Sequence, residues 1–408
     1  MKRKELFSLG SLYVSDFIKE DNKPRGPKSP LTLVMEEETG AVRLTETPDS
    51  DTMYGQYWYR SGINVTMTKE LGDIALSCSE SIKIKDDDVW LDIACNDGTL
   101  LKQIPKNMIK IGVDPADDSY TYESRQVADL IIQDYFNKES YIKSKFGDKK
   151  AKIVTCIAMF YDLDNPLKFL KDIYDVMDDE GLFVLQMSYT PLMIKQLAFD
   201  NICHEHVYYY NLTNIKNLLE KVNFKIVDCK LNDVNGGSFR VYIRKENANP
   251  SNFKTSPYRD VANYRIESFL EKEKNDKMDS VEPYIEFWKN INNLKDETVA
   301  FIKKAKSEGK TVWGYGASTK GNTLLQWFGL DETLIDGIAE RSPYKFGLKT
   351  VGTNIPIYSE DEMRKINPDY MLVLPWHFID EFIKRESDYL NSGGKFIVPC
   401  PKFEIIGK

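Results

Sequence analysis

Short, nearly unbroken apolar runs recur through the middle of the chain: Val89-Trp90-Leu91-Asp92-Ile93, Ile109-Lys110-Ile111-Gly112-Val113, Leu130-Ile131-Ile132, and two more near positions 152 and 182. A strand covered on both faces reads as such a run, whereas a half-exposed strand alternates, so these segments predict a buried parallel sheet. Between them, Pro166 to Met177 repeats its apolar positions at helical spacing. Two later strand signals, Lys225 to Leu231 and Ser238 to Ile243, are joined by Asn232-Asp233-Val234-Asn235-Gly236-Gly237 and predict a closing hairpin. The pattern differs toward both ends. The first 50 residues or so hold Pro24, Gly26, Pro27 and Pro30, then a hairpin signal from Leu31 to Leu44 with its turn near Glu37 to Gly40. From Tyr258 to Ser307 the chain is charged, poor in glycine and proline, and apolar at helical spacing through Phe269, Val281, Tyr284, Ile285, Phe287 and Trp288, which predicts two or three connecting helices. A new strand opens at Thr311-Val312-Trp313, and others follow near Ile335, Tyr370 and Lys395. The expected parts are a small N-terminal domain over 1–52, a central α/β domain over 53–250, a helical connector over 251–308 and a second α/β domain over 309–408.

Ligands of open α/β sheets bind at the carboxyl ends of the strands. The first central run ends in Ala94-Cys95-Asn96-Asp97-Gly98, small and polar residues that lead into a short helix. This segment lacks the G-x-G-x-x-G of a dinucleotide fold and reads as the cofactor loop of an S-adenosylmethionine (SAM) methyltransferase, with Asp92, Ala94, Cys95, Asn96, Asp97 and Gly98 at the cofactor. Asp114 closes the second strand at about the separation where nucleotide folds place a ribose-binding carboxylate. Asp134, followed by Tyr135 and Phe136, ends the third and offers an acceptor and an aromatic neighbour to an adenine. The plainer reading is a set of solvated loop acids on an ordinary doubly wound domain. Parallel strands closed by a late hairpin suit the seven-stranded methyltransferase sheet better than a plain Rossmann order.

Composition narrows the partners. A formal charge of −8 over 408 residues argues against a nucleic-acid backbone as ligand. No apolar run approaches the ~20 residues that cross a bilayer, and Met1-Lys2-Arg3-Lys4 is not followed by the apolar core of a secretory signal, so no membrane partner and a cytoplasmic location are expected. Six scattered cysteines form no C-x-x-C pair and suggest neither disulfides nor a zinc site. The oligomeric state is not legible.

The chain has three histidines, and two lie in one segment, Cys203-His204-Glu205-His206-Val207-Tyr208-Tyr209-Tyr210, beyond the fifth strand. Three readings of this cluster stand side by side. H-x-H with a glutamate could ligate a metal, although no third ligand is evident and H-E-x-x-H is absent. Buried imidazoles and phenols could simply hydrogen-bond one another. A histidine could act as general base beside a carboxylate that fixes its tautomer.

The ordered set Leu91-Asp92-Ile93-Ala94-Cys95-Asn96-Asp97-Gly98-Thr99-Leu100-Leu101, Ala158-Met159-Phe160-Tyr161-Asp162-Leu163, Ile202-Cys203-His204-Glu205-His206, Asn235-Gly236-Gly237-Ser238 and Gly316-Ala317-Ser318-Thr319-Lys320-Gly321-Asn322-Thr323 resembles the nucleotide-sugar C-methyltransferase family over nearly the whole chain. The resemblance implies a zinc-binding N-terminal module, a class I SAM-methyltransferase sheet, and a C-terminal Rossmann-like α/β domain that helps to hold a nucleoside-diphosphate keto-sugar. It implies methylation of the carbon beside the ketone, commonly C3 of a 4-keto-6-deoxyhexose, with His206 as base and Glu205, His204 and Tyr59 at the reaction. Tyr57-Trp58-Tyr59-Arg60-Ser61-Gly62 resembles the family's aromatic entry segment. Tyr57, Tyr161, Tyr209, Asn235, Ser318, Lys320 and Glu340 are the expected substrate residues.

Three positions depart from that pattern. Leu6, Leu9, Glu36 and Thr39 stand where the family carries the thiolates of two zinc knuckles, so SAM is expected and zinc is not. Ala94 replaces the usual glycine of the cofactor loop, and Gln186 a usual glutamate after the fifth strand. The glycine turn at Gly314 to Gly321, with Lys320 at a helix start and Glu340 at the end of the next strand, could cradle a phosphate or line an empty crevice. It is not a Walker loop. His377, after Pro375-Trp376 at a strand end, is a further candidate for the active site. Two other functions share these features: an O- or N-methyltransferase of small molecules, and a non-catalytic nucleotide-sugar binding protein.

Overall fold

The structure is a computed structural model and describes residues 2–19, 23–49, 52–53, 58–254 and 259–407. The apolar runs of the central region form one seven-stranded sheet. In chain order, its first five strands follow the N-terminal β1 (Arg3–Leu12), β2 (Phe17–Ile18), β3 (Ser29–Glu36) and β4 (Val42–Leu44); they are β5 (Val89–Ile93), β6 (Ile109–Val113), β7 (Leu130–Ile132), β8 (Ala151–Ile157) and β9 (Met177–Ser188). After the short β10 (Tyr208–Tyr209) come β11 (Phe224–Asn232) and β12 (Ser238–Lys245). The order across the sheet is β11-β12-β9-β8-β5-β6-β7. Strands β5 to β9 run parallel, and β12 is antiparallel to both its neighbours. This is the class I methyltransferase arrangement, and all five residues of β5 are buried. The first helix, α1 (Val65–Ser81), is capped by the Asn64 side chain, which accepts from the amides of Thr66 and Met67. It packs Leu71, Ile74, Ala75 and Cys78 against Trp90 and Leu182 on one face of the sheet.

A second sheet, β16-β14-β13-β17-β18-β19, contains β13 (Val312–Tyr315), β14 (Ile338–Glu340), β16 (Ile357–Ser359), β17 (Tyr370–Val373), β18 (Lys395–Val398) and β19 (Glu404–Ile406); β19 alone is antiparallel among its registered pairs. The strand expected near Ile335 begins three residues later, at Ile338, because the turn through Asp336 is fixed first: its carboxylate accepts from Val312 N at 2.9 Å and Lys306 Nζ at 2.6 Å.

The first 44 residues do not stand apart from this second sheet. Strands β1, β3 and β4 share one hydrophobic core with the helix Glu282–Ser307 and with β13 and β17. The ring of Phe7 stacks on Trp288 at 5.0 Å. Strand β2 pairs with β15 (Lys349–Thr350), and Asn322 Nδ2 donates to the Asp16 carbonyl at 2.6 Å. Apolar burial holds the small sheet at the positions where thiolates would stand: Leu9 is buried, Leu6 packs against the core, and the Thr39 hydroxyl donates to Glu36 at 3.0 Å. Strand β10 pairs with β4, and Leu44 N donates to the Val207 carbonyl at 2.9 Å. The small sheet therefore zips the histidine segment into place. No helix among the described residues is long and apolar enough to cross a membrane.

Candidate active site

A cavity of about 380 Å³ opens over the carboxyl ends of β5, β6, β7 and β8, lined by residues from three of the four parts of the chain, from Ser15 through Asp92 and His206 to Lys320. Its floor begins at Asp92, which stands opposite Thr155 in the β5–β8 register and accepts from the Thr155 hydroxyl at 2.7 Å. Burial pushes the Asp92 carboxyl up to about 7, against the lowering effect of that hydrogen bond. Beyond the strand, Ala94 adopts φ +59° and Asn96 φ +50°. The left-handed turn lets Ala94 N donate to the Val113 carbonyl at 2.8 Å and Asn96 N donate to Asp114 Oδ2 at 2.8 Å. Asp114 Oδ1 accepts from Ala116 N at 2.9 Å, and burial raises its carboxyl. Asp134, Tyr135 and Phe136 complete that end of the wall, with Asp134 Oδ1 accepting from Tyr135 N at 2.7 Å.

Asp97 and Gly98 lie behind the loop and do not line the cavity. Asp97 is 1% exposed and accepts from Thr99 N, the Thr99 hydroxyl and Gly62 N, the last at 2.7 Å. It ties the entry segment to the cofactor loop, a structural duty in place of the expected ligand contact. Gly98 has φ +76°, and a Cβ there would meet Ser124 Cα at 2.7 Å. Trp58, Tyr59 and Ser61 line the cavity, and the Tyr59 carbonyl accepts from Asn96 Nδ2 at 2.9 Å. Tyr57 falls outside the described residues.

The opposite wall carries His206, which is 8% exposed. Its Nδ1 lies 2.7 Å from the Asn201 carbonyl, so Nδ1 carries the proton as donor and Nε2 keeps its lone pair. The Tyr161 ring packs on the imidazole with centroids 4.1 Å apart. Burial, reinforced by the Lys320 charge, pulls the His206 pKa down to about 3, so the ring is neutral across the physiological range. Glu205 and Asp162 line the same wall, and burial followed by the Glu205 charge raises the Asp162 carboxyl strongly.

His204 does not join them. Its Nε2 donates to the Ser29 carbonyl at 3.0 Å, so the ring pins the segment to β3 and corrects its expected place at the reaction. Tyr209 borders a water-sized void behind His206 rather than the main cavity. The Ser318 hydroxyl accepts from Gly321 N at 2.9 Å and caps the helix Thr319–Phe328. Glu340 is 9% exposed and accepts from Ala317 N, Arg341 N and Ser342 N at 2.7 to 2.8 Å. Both of these expected substrate residues therefore serve the C-terminal turn and lie off the cavity wall. The side chain of Asn235 falls outside the described residues. His377 is absent from the cavity wall; burial and Lys320 hold it, too, down at about 3.

Two residues escaped the sequence reading. Asn201 holds His206 through its carbonyl and accepts from Lys320 Nζ through Oδ1. Asp162 had only its place in the quoted motif as a signal, because its burial depends on a segment 40 residues later.

A family model described as a methyltransferase domain matches residues 65–228. Another, described as a C-methyltransferase C-terminal domain, matches residues 233–401. C-methyltransferase NovU of Streptomyces niveus is 26% identical over 408 residues, covering 98% of this chain and 94% of that protein. Among solved structures, the plantazolicin methyltransferase BamL is similar with a TM-score of 0.33 at 12% identity, covering 44% of this chain and 84% of its own. A putative methyltransferase from Bacillus halodurans gives 0.33 at 13% identity, covering 44% and 98%. With its sheet order and the cavity at the strand ends, this chain is a class I SAM-dependent methyltransferase. Over residues 233–401 it matches the C-methyltransferase C-terminal domain, and over nearly its whole length it is similar to a C-methyltransferase.

Proposed function

We propose that the protein methylates the carbon beside the ketone of a nucleoside-diphosphate 4-keto-sugar, C3 in the commonest case, with His206 as general base. The observation that carries this reading is the imidazole in the cavity wall with Nδ1 engaged by the Asn201 carbonyl and Nε2 left as acceptor. Asp114 takes the ribose diol of SAM, while Asp134 and Tyr135 receive the adenine. When bound, SAM supplies an electrophilic methyl group on a sulfonium. His206 Nε2 removes the proton from the carbon, and the C–H pair becomes the enolate double bond while the carbonyl pair moves to oxygen. Glu205 stabilises the imidazolium that results. The enolate carbon then takes the methyl group, the S–C pair stays on sulfur, and the carbonyl re-forms. Tyr161 and Tyr59 narrow the cavity and keep out water that would return the proton.

The sugar and its position are assigned by the motif resemblance, and the test is direct. Mass spectrometry of SAM reactions with dTDP-, GDP- and CDP-linked 4-keto-sugars should show a one-methyl gain for one nucleotide series, with the fragment position at the carbon beside the ketone. With S-adenosylhomocysteine in place of SAM, the wild-type enzyme should exchange that C–H for solvent deuterium. His206→Asn should lower both rates by about 10²- to 10⁴-fold and keep SAM affinity. Retained exchange in this variant moves the base role to another group.

A further inference from the structure

Taking a proton from carbon beside a ketone places a full negative charge on oxygen, and a water-poor cavity needs a fixed positive group or strong donors to accept it. The cavity wall is poor in positive groups. It carries the carboxylates of Asp92, Asp114, Asp134, Asp162, Asp164 and Glu205, and among the described residues that line it Lys320 is the one lysine or arginine. Lys320 belongs to the C-terminal domain, at the second residue of the helix Thr319–Phe328, yet its ammonium leaves the glycine turn of that domain. Its Nζ donates to Asn201 Oδ1 at 2.5 Å. Asn201 is 2% exposed, and its carbonyl receives the His206 Nδ1 proton. One buried residue thus grips the base with its main chain and the cation with its side chain.

We propose that Lys320 is the group that stabilises the enolate, donating from Nζ to the ketone oxygen as His206 removes the proton, and that Asn201 is the positioning residue that keeps cation and base at one substrate. The inference rests on the reading of His206 as base. It replaces the expected phosphate contact of Lys320 with a contact to the reacting carbonyl. As the C–H pair becomes C=C, the carbonyl pair moves to oxygen beside the ammonium, and it returns to re-form C=O when carbon takes the methyl group. The same cation disfavours a proton on His206.

The experiment compares Lys320→Met, Lys320→Arg and Asn201→Ala with wild type and His206→Asn. The first readout is deuterium exchange into a dTDP-linked 4-keto-6-deoxyhexose with S-adenosylhomocysteine bound, or into the GDP or CDP form if wild type exchanges that one. Lys320→Met should lower the exchange rate about 10²- to 10³-fold with KM within about threefold, and Lys320→Arg should restore part of it. A tenfold or larger rise in KM with exchange at saturation unchanged would make Lys320 a diphosphate ligand and overturn the proposal, as would no change in either. If His206→Asn keeps exchange, the base reading itself fails; if it loses exchange while Lys320→Met does not, only the role of Lys320 fails.

The second readout needs no substrate. The groups near His206 are Lys320 from the C-terminal domain, Tyr161 and Asp162 on the same wall, Glu205 on its own loop, and Tyr208 and Tyr209 on β10. With three histidines in the chain, imidazole carbon resonances can be assigned by single His→Gln variants. In Lys320→Met the His206 titration should move up toward its ordinary value, while in Asn201→Ala its Nδ1–H tautomer should persist, because the main-chain carbonyl remains. An unmoved titration in the folded Lys320→Met protein shows that the ammonium stands too far from His206 to share one substrate with it and overturns the proposal.

Discussion

The two parallel sheets of this protein end in turns of similar design and opposite outcome. In the central sheet, Asp114 at the end of β6 accepts one amide from the β5 turn, Asn96 N, and one from its own loop, Ala116 N. In the C-terminal sheet, Glu340 at the end of β14 accepts Ala317 N from the β13 turn and two amides of its own loop. The difference lies in what stands beside each acid. Asp114 borders an open cavity of about 380 Å³. Glu340 lies 3.9 Å from the buried Lys345 ammonium, which donates to the Ala317 carbonyl at 2.7 Å. The second acid is thus enclosed by its own turn, and Lys320 at the start of the adjoining helix lines the other sheet's cavity.

The comparison breaks most visibly at Glu340. Glu340→Ala leaves three amides without their acceptor and Lys345 buried without its counter-charge, a loss of about 3–5 kcal/mol. Urea unfolding should show it as a large drop in midpoint, with SAM affinity by calorimetry, measured where the variant is folded, within about twofold of wild type. A tenfold loss of SAM affinity would mean that the C-terminal turn is coupled to the cofactor edge.

Asp114→Ala should behave in reverse. The acid meets the cavity, so SAM affinity should fall about 10- to 100-fold, or about 1.4–2.8 kcal/mol, while stability falls less than in Glu340→Ala because no buried lysine is stranded. An unaltered Kd would remove Asp114 from the cofactor site and make the two acids alike.

The central sheet was legible because strands buried on both faces carry unbroken apolar runs, as Val89 to Ile93 does. Strand β1 was not, since Arg3-Lys4-Glu5 opens it and its pairing with β3 shifts register twice. Helix α1 also went unread: the exposed Val65 and Leu76 lie opposite its buried stripe and blur the helical period, and its cap Asn64 is a single residue. At the site, residues on one strand edge could be placed from their order. Spacing alone did not tell His204 from His206, and the motif resemblance singled out His206 as base; what sets His204 apart in the structure is a carbonyl 175 residues away in β3. The Asn201–Lys320 contact spans 119 residues and joins two domains, and local pattern carries no trace of it.

A smaller effect separates the two histidines from ordinary ones. His206 and His377 are both held down near 3 by burial first and Lys320 second. As pH falls below about 6.5, the unfolded chain takes up these protons while the folded chain does not. The stability that the neutral rings contribute is therefore present above about 6.5 and is lost progressively toward pH 3. Urea unfolding of His377→Gln, compared with wild type from pH 7 to pH 4.5, should show a shallower decline on the acid side. Parallel curves would place the ring's folded pKa near its ordinary value and remove the reach of Lys320 into that part of the C-terminal domain.

The finest contrast lies in the turns themselves. Both sheets use a left-handed residue just after the first strand, Gly316 at φ +82° in the C-terminal domain and Ala94 at φ +59° in the central one. Glycine is needed at 316, where a Cβ would meet Pro375 Cγ at 2.7 Å. At 94 the methyl group is accommodated at the cavity wall, and the cost is the left-handed backbone, about 1–2 kcal/mol for a residue with a Cβ. Ala94→Gly removes that strain but adds about 0.5–1 kcal/mol of backbone entropy to the unfolded state, so the net gain in stability should be about 0.5 kcal/mol. Because the Ala94 N to Val113 carbonyl bond depends on the backbone alone, the turn should keep its shape and SAM affinity should hold or improve slightly. A fall in both stability and affinity would show that the Ala94 methyl packs productively against the cofactor, and that the two turns differ in chemistry as well as in the room they leave.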